Sequence, residues 1–195
     1  MGRRRNGEKF SFRQDKRMSV KKIIIAGFGG QGIIFTGRVI STAALIENKH
    51  VSMIPCYGAE MRGGTAYCVV SISDSQINSL YADYVDYMMI MNEPSLIRFI
   101  KRAAKKAVVV ANSSLIKNKI KSKNAKIVYK PFSELAAIQG RVKVANMFAL
   151  GVLIKCTGIV KVKSVLNALQ ELSKNEESFN LNRLSLNKGI KLIKA

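Results

Sequence analysis

Apolar positions recur with two periods along the chain, and each period predicts a different element. Short apolar runs read as strands: Lys22–Ala26 ("KIIIA"), His50–Cys56, where Val51 and Met53 alternate with polar or small residues, "TAYCVVSIS" (65–73), "YMMIMN" (87–92), "KAVVVAN" (106–112) and "KIVYKP" (126–131). Stretches with a helical period lie between and after them. One spans 31–48, with Ile33, Ile34, Gly37, Val39, Ile40, Ala44 and Leu45 on its apolar face. Another starts at Glu93-Pro94, with proline at an early helical position. "PFSELAAIQG" closes on Gly140, "VANMFALGVLIKCTG" closes on Gly158, "VKSVLNALQELSK" is amphipathic, and a basic helix ends the chain. Buried strands alternating with helices predict an α/β fold, a mostly parallel sheet with helices on both faces. Ligands in such sheets bind beyond the carboxyl ends of the strands.

The length of 195 residues suits one domain. Residues 1–20 are polar and basic and read as a disordered arm, leaving 21–195 as the folded unit. No apolar run reaches the ~18 residues of a membrane span, and the N-terminus lacks the apolar core of a signal peptide. The expected location is therefore the cytoplasm, without a membrane partner.

The net charge of +21 raises nucleic acid as a partner. The charge is dispersed, however. Residues 1–22 carry nine Lys/Arg against Glu8 and Asp15, and further clusters lie at "KRAAKKA", "KNKIKSKNAK" and the C-terminus. Dispersal beside strands and helices is what solvated faces produce, and it suits an acidic subunit or acidic substrate better than a nucleic acid. Cys56, Cys68 and Cys156 are too few for an iron–sulfur cluster held by four cysteines of this chain, and they do not pair as a zinc motif. The one histidine, His50, precedes a strand, which does not suit a Ser-His-Asp triad. No metal ligand set is expected.

Two glycine-rich loops carry the chemistry. Gly27-Phe28-Gly29-Gly30-Gln31-Gly32 fits G-x-G-x-x-G between a strand and a helix, where backbone N–H groups and the helix dipole face an anion. A tight turn that binds nothing would look the same. A nicotinamide site also needs an acid about 20 residues on, at the end of the second strand. Here that strand ends in Pro55-Cys56-Tyr57; Glu47 is too early, and Glu60 lies in the next loop. A stand-alone NAD(P) enzyme thus has half its signature. In the second loop, "YGAEMRGGTAYC", Gly58, Gly63 and Gly64 permit close ligand approach. Arg62 offers a guanidinium fork for phosphate or carboxylate, Glu60 can orient it, and Tyr57 can stack or donate a hydrogen bond. A plain Gly-rich connection with a surface ion pair is the alternative.

"GFGGQGI", "YGAEMRGGTAYC" and "NMFALG" (146–151), in this order, resemble the gamma subunit, or gamma domain, of the 2-oxoacid:ferredoxin (or flavodoxin) oxidoreductases. The resemblance runs from about Lys21 to the C-terminal helices, and "YGAEMRGGTA" is closer to the 2-oxoglutarate type. It implies a three-layer Rossmann-like domain in a complex that converts 2-oxoglutarate to succinyl-CoA. Pyruvate, a branched-chain 2-oxoacid or indolepyruvate are the alternative substrates. It implies coenzyme A contacts from Gly27, Gly29, Gly30, Gln31, Gly32, Tyr57, Gly58, Glu60, Arg62, Gly63, Gly64 and Asn146. It places thiamine diphosphate and the iron–sulfur clusters on alpha, beta and ferredoxin-like delta subunits, with ferredoxin or flavodoxin as acceptor. No catalytic residue is assigned to this chain, whose isolated form would be inactive, with a homodimer as one state open to it.

Overall fold

The computed structural model describes residues 20–57, 64–79 and 83–193. The expected arm, 1–20, lies outside them except for Val20. Among the described residues, six strands form one sheet: β1 (Lys21–Phe28), β2 (His50–Tyr57), β3 (Thr65–Ser73), β4 (Val85–Ile90), β5 (Ala103–Asn112) and β6 (Ala125–Lys130). Six α-helices accompany them: α1 (Ile33–Ile46), α2 (Glu93–Phe99), α3 (Phe132–Ile138), α4 (Ala145–Thr157), α5 (Val162–Leu172) and α6 (Glu176–Lys191).

The strand order is β2-β3-β1-β4-β5-β6. β1 pairs parallel with β4, β4 with β5 and β5 with β6, whereas β3 runs antiparallel to both β1 and β2. β3 alone is reversed because the short link between Tyr57 and Thr65 leaves no room for a crossover, so β2 and β3 must fold back as neighbours. The chain therefore passes from β1 through α1 to β2, then inserts β3 into the gap.

β1 explains its own isoleucines. Ile23 and Ile25 enter one core, Ile24 and Ala26 the other, and all four are fully buried. A strand covered on both faces needs an unbroken apolar run rather than alternation. The two faces are unequal. α1, α3, α4, α5 and α6 build the first core, whereas the second is closed by α2 through Leu96 and Phe99, with Ile116 from the segment after β5.

α4 lies between the sheet and α6, so Ala145–Ile154 are all buried. α6 meets α4 at backbone distance: a Cβ on Gly151 would overlap the Leu186 carbonyl, and one on Gly189 the Phe148 carbonyl.

Several boundaries differ from the sequence reading by a few residues, two of them beside the glycine loop or at a strand's carboxyl end. β4 stops at Ile90, and Asn92 is instead the N-cap of α2, its Oδ1 accepting from the Ser95 N–H at 2.9 Å. α1 begins only after Gly32, because Gly30 and Gly32 take left-handed φ values of 87° and 70° that a helix cannot include.

Candidate functional site

The carboxyl ends of β1, β2, β4, β5 and β6 share one edge of the sheet, and the glycine loop leaves β1 there. Its shape is held from within. The Phe28 N–H donates to Gln31 Oε1 at 2.7 Å, and the Gln31 N–H donates to the Phe28 carbonyl at 3.2 Å. The Gly29 N–H donates to the Gly64 carbonyl at 3.2 Å. That bond joins the first loop to the end of the second, because β3 lies beside β1 and pairs Gly27 with Ala66. Of the amides of Gly29, Gly30, Gln31 and Gly32, which the sequence offers to an anion, those of Gly29 and Gln31 are thus committed to the loop. Those of Gly30 and Gly32, with Ile33 at the start of α1, have no acceptor among the described residues.

The glycines differ in what they are for. A Cβ on Gly27 would crowd Gln31, Ile33 and Met91, and one on Gly32 would overlap the Asn146 amide. Those two serve packing. On Gly29 and Gly30 a Cβ would meet nothing within 4 Å among the described residues, and Gly29 is not left-handed. Among the described residues, nothing covers the loop's backbone at these two positions.

Asn146, only 3% exposed, comes from the first turn of α4 and holds the loop's far end. Its Nδ2 donates to the Gly32 carbonyl and to Thr36 Oγ1, each at 3.2 Å. Thr36 Oγ1 in turn donates to the Gly32 carbonyl at 2.9 Å. Its role toward the loop is that of an anchor.

Tyr57 stands at the end of β2 and is 71% exposed. Gly64 lies at the other end of the hairpin link. Gly58, Glu60, Arg62 and Gly63 lie outside the described residues.

Gly30 borders a smaller and a larger hollow among the described residues. The smaller, about 220 Å³, is lined by Gly30, Gln31, Met91, Leu115, Ser133, Lys143 and Ala145. The larger, about 480 Å³, runs between α1 and the α5–α6 junction and brings Arg38, Arg141, Lys143 and Lys174 together, with no acidic residue in its lining among the described residues. Arg141 reaches Glu177 at 3.0 Å. Sequence reading missed these four cations because they lie on three segments far apart in the chain. Arg38 was visible only as a charge within an apolar helix.

The remaining reactive groups lie elsewhere. His50 opens β2 and so sits at the opposite edge of the sheet. Cys68 is buried beneath α1, which pushes its thiol up to about 12. No grouping of three or more His, Cys, Asp or Glu suited to a metal occurs among the described residues, nor does a helix long and apolar enough to cross a membrane.

The sequence pattern of the pyruvate ferredoxin/flavodoxin oxidoreductases matches residues 22–192. The chain belongs to this family. It is 32% identical to 2-oxoglutarate synthase subunit KorC of Methanocaldococcus jannaschii, over 89% of this chain and 94% of KorC. It is 35% identical to ketoisovalerate oxidoreductase subunit VorA of Methanothermobacter marburgensis over 68% of this chain, but spans only 27% of VorA. Among solved structures, the keto/oxoacid ferredoxin oxidoreductase gamma subunit of Geobacter sulfurreducens superposes with a TM-score of 0.76 at 26% identity, over 88% of this chain and 96% of that one. The 2-oxoglutarate:ferredoxin oxidoreductase of Magnetococcus marinus, solved with 2-oxoglutarate, coenzyme A and succinyl-CoA bound, shares the fold. Its TM-score is 0.80 at 22% identity, over 89% of this chain and 31% of that one. In extent, the chain corresponds to a gamma subunit of the family.

Proposed function

We propose that this chain is the gamma subunit of a 2-oxoglutarate:ferredoxin or flavodoxin oxidoreductase, and that its two glycine-rich loops hold the phosphates of coenzyme A. The observation that carries the reading is the bare backbone at Gly29 and Gly30, where neither packing against the described residues nor, at Gly29, conformation accounts for the missing side chain. Beside it, the unspent N–H groups of Gly30, Gly32 and Ile33 suit a phosphate, and the first turn of α1 carries no acid to repel one. The coenzyme A in the Magnetococcus enzyme supports the choice of ligand. The nearly full-length likeness to KorC supports 2-oxoglutarate; the likeness to VorA keeps a branched-chain 2-oxoacid as the alternative.

Coenzyme A supplies the thiol that receives the acyl group; this chain binds and orients it. Arg62, in the second loop, gives a phosphate a charge-assisted contact, with Glu60 orienting it, and Tyr57 borders the same edge. Thiamine diphosphate and the iron–sulfur clusters belong to alpha, beta and ferredoxin-like delta partners, and the complex works in the cytoplasm. Arg62→Ala in the assembled complex should raise the KM for coenzyme A by roughly tenfold or more, the loss of a contact of about 1.5–3 kcal/mol. An unchanged KM would remove Arg62 from the site.

A further inference from the structure

The sheet ends sideways in two strands, β2 and β6, and the two differ in charge. An open lateral strand offers unpaired N–H and C=O groups to any strand that meets it, and lysines along it are a common guard. β6 has that guard. It carries Lys126 and Lys130, and residues 94–133, which include β5, β6 and their link, hold eleven Lys/Arg and no Asp or Glu. β2 has none beyond Pro55. From Val39 to Tyr57 the only Asp, Glu, Lys or Arg are Glu47 and Lys49, which pair with each other at 4.0 Å. Among the described residues β2 pairs with β3 alone, and the other side of the strand is open. Apolar surface flanks that side. Leu45 and Ile46, in the last turn of α1 just before β2, are 58% and 40% exposed, and Val51 and Met53 are only half-buried against the main core.

We propose that β2 is the interface between two copies of this chain, joined antiparallel about a two-fold axis at Ser52 into one continuous sheet. The interface is independent of the ligand at the glycine loops. In an antiparallel ladder every second residue turns its N–H and C=O outward. Pro55 has no N–H to give β3, which puts it in the outward set with Val51 and Met53. With the axis at Ser52, Val51 and Met53 of one copy face Met53 and Val51 of the other and exchange about four hydrogen bonds. Pro55 then falls at the end of the new ladder, where its missing donor matters least. The exposed Leu45 and Ile46 flank the seam on the α1 side. Charge favours a second copy joined in this way. Two chains of +21 repel each other. Residues 39–97, however, carry Lys49 and Arg62 against Glu47, Glu60, Asp74, Asp83, Asp86 and Glu93, a net of −4. Joined through β2, the two β6 strands stand about 50 Å apart across the continuous sheet, several screening lengths. Pairing β6 with β6, or β6 with β2, would bring the lysine-rich strand to the seam.

Sedimentation equilibrium of the full chain tests this. The wild type should be a dimer at micromolar concentration. Leu45→Lys and Ile46→Lys, both at exposed positions, should weaken the dimer by about tenfold or more, because the two-fold axis brings each new charge to the seam twice. Val51→Pro removes an outward N–H and should weaken it likewise, with circular dichroism confirming that the chain is folded. Ile138→Lys, on α3 beyond β6, should leave the dimer unchanged. Residues that face each other across the axis come close enough to bridge. Ser52→Cys should therefore form a disulfide between copies under mild oxidation, and peptide mapping should find position 52 linked to itself. A monomeric wild type overturns the proposal. So does a dimer that Leu45→Lys and Ile46→Lys leave intact and that Ser52→Cys does not bridge. Val51 and Met53 amides that resist hydrogen exchange only in the assembled complex, beside a monomeric free chain, would overturn it in favour of a partner subunit.

Discussion

Replacing Gly29 and Gly32 separately with alanine tests what the loop is for. At Gly29 the backbone is outside the left-handed region, and a Cβ meets nothing within 4 Å among the described residues. Alanine there narrows the unfolded ensemble and should stabilise the chain by about 0.4–1 kcal/mol. In a chain of this size that raises Tm by roughly 1–4 °C. The bond from the residue 29 N–H to Gly64 is retained, since it uses only backbone. The new methyl, however, occupies the space through which a phosphate would approach. The KM for coenzyme A should rise about tenfold, a loss of ~1.4 kcal/mol. Gly32 behaves in the opposite way. Its φ of 70° costs an alanine about 1–2 kcal/mol, and the Cβ overlaps the Asn146 amide. With overpacking added, Gly32→Ala should lose at least ~2 kcal/mol and several degrees of Tm. Differential scanning calorimetry of the chain and steady-state kinetics of the assembled complex read both quantities. If Gly29→Ala lowers Tm as far as Gly32→Ala does, the bare backbone is structural. If it leaves the KM at the wild-type value, the loop does not meet coenzyme A.

Packing and burial lead to three further predictions. Gly189→Ala should destabilise the fold by about 1–3 kcal/mol, visible as a lower urea midpoint, because a Cβ would press on the Phe148 backbone and neither helix can yield cheaply. The Cys68 thiol is raised from its ordinary 9.0 to about 12 by burial. A raised folded-state value means its contribution is complete below about pH 9 and declines as pH rises toward 12. Urea unfolding at pH 8 and pH 10.5 should show that decline, and Cys68→Ala should reduce it. In mass-spectrometric mapping at pH 8, iodoacetamide should leave Cys68 unmodified in the folded chain.

Local physics made much of this protein legible from its residues. A strand buried on both faces has to be an apolar run, so "KIIIA" announced β1. Glycines between a strand and a helical period announced a backbone-rich turn at a carboxyl end. "TAYCVVSIS" coincides with β3 because β-branched residues on a covered sheet leave little alternative. The near-continuous apolar character of α4 marked an apolar helix closed by glycine, though not what would bury Ala145–Ile154.

What the residues in order could not decide was proximity. Asn146 lies 114 residues from Gly32, and only the packing of α4 beside α1 brings its amide to that carbonyl. The link between the glycine loops, from the Gly29 N–H to the Gly64 carbonyl, exists because β3 is inserted between β1 and β2, a pairing that no local period encodes. The cationic cleft is the clearest case. Arg38, Arg141, Lys143 and Lys174 each read locally as one more solvated charge in a chain of +21. They share a wall only because α6 packs back on α4 and closes the far side of the cleft. Periodicity, caps and turns are set by neighbours in sequence, and those the chain states openly. A binding site is set by which surfaces pack together, and that depends on long-range contacts whose energies are settled only when the whole core forms.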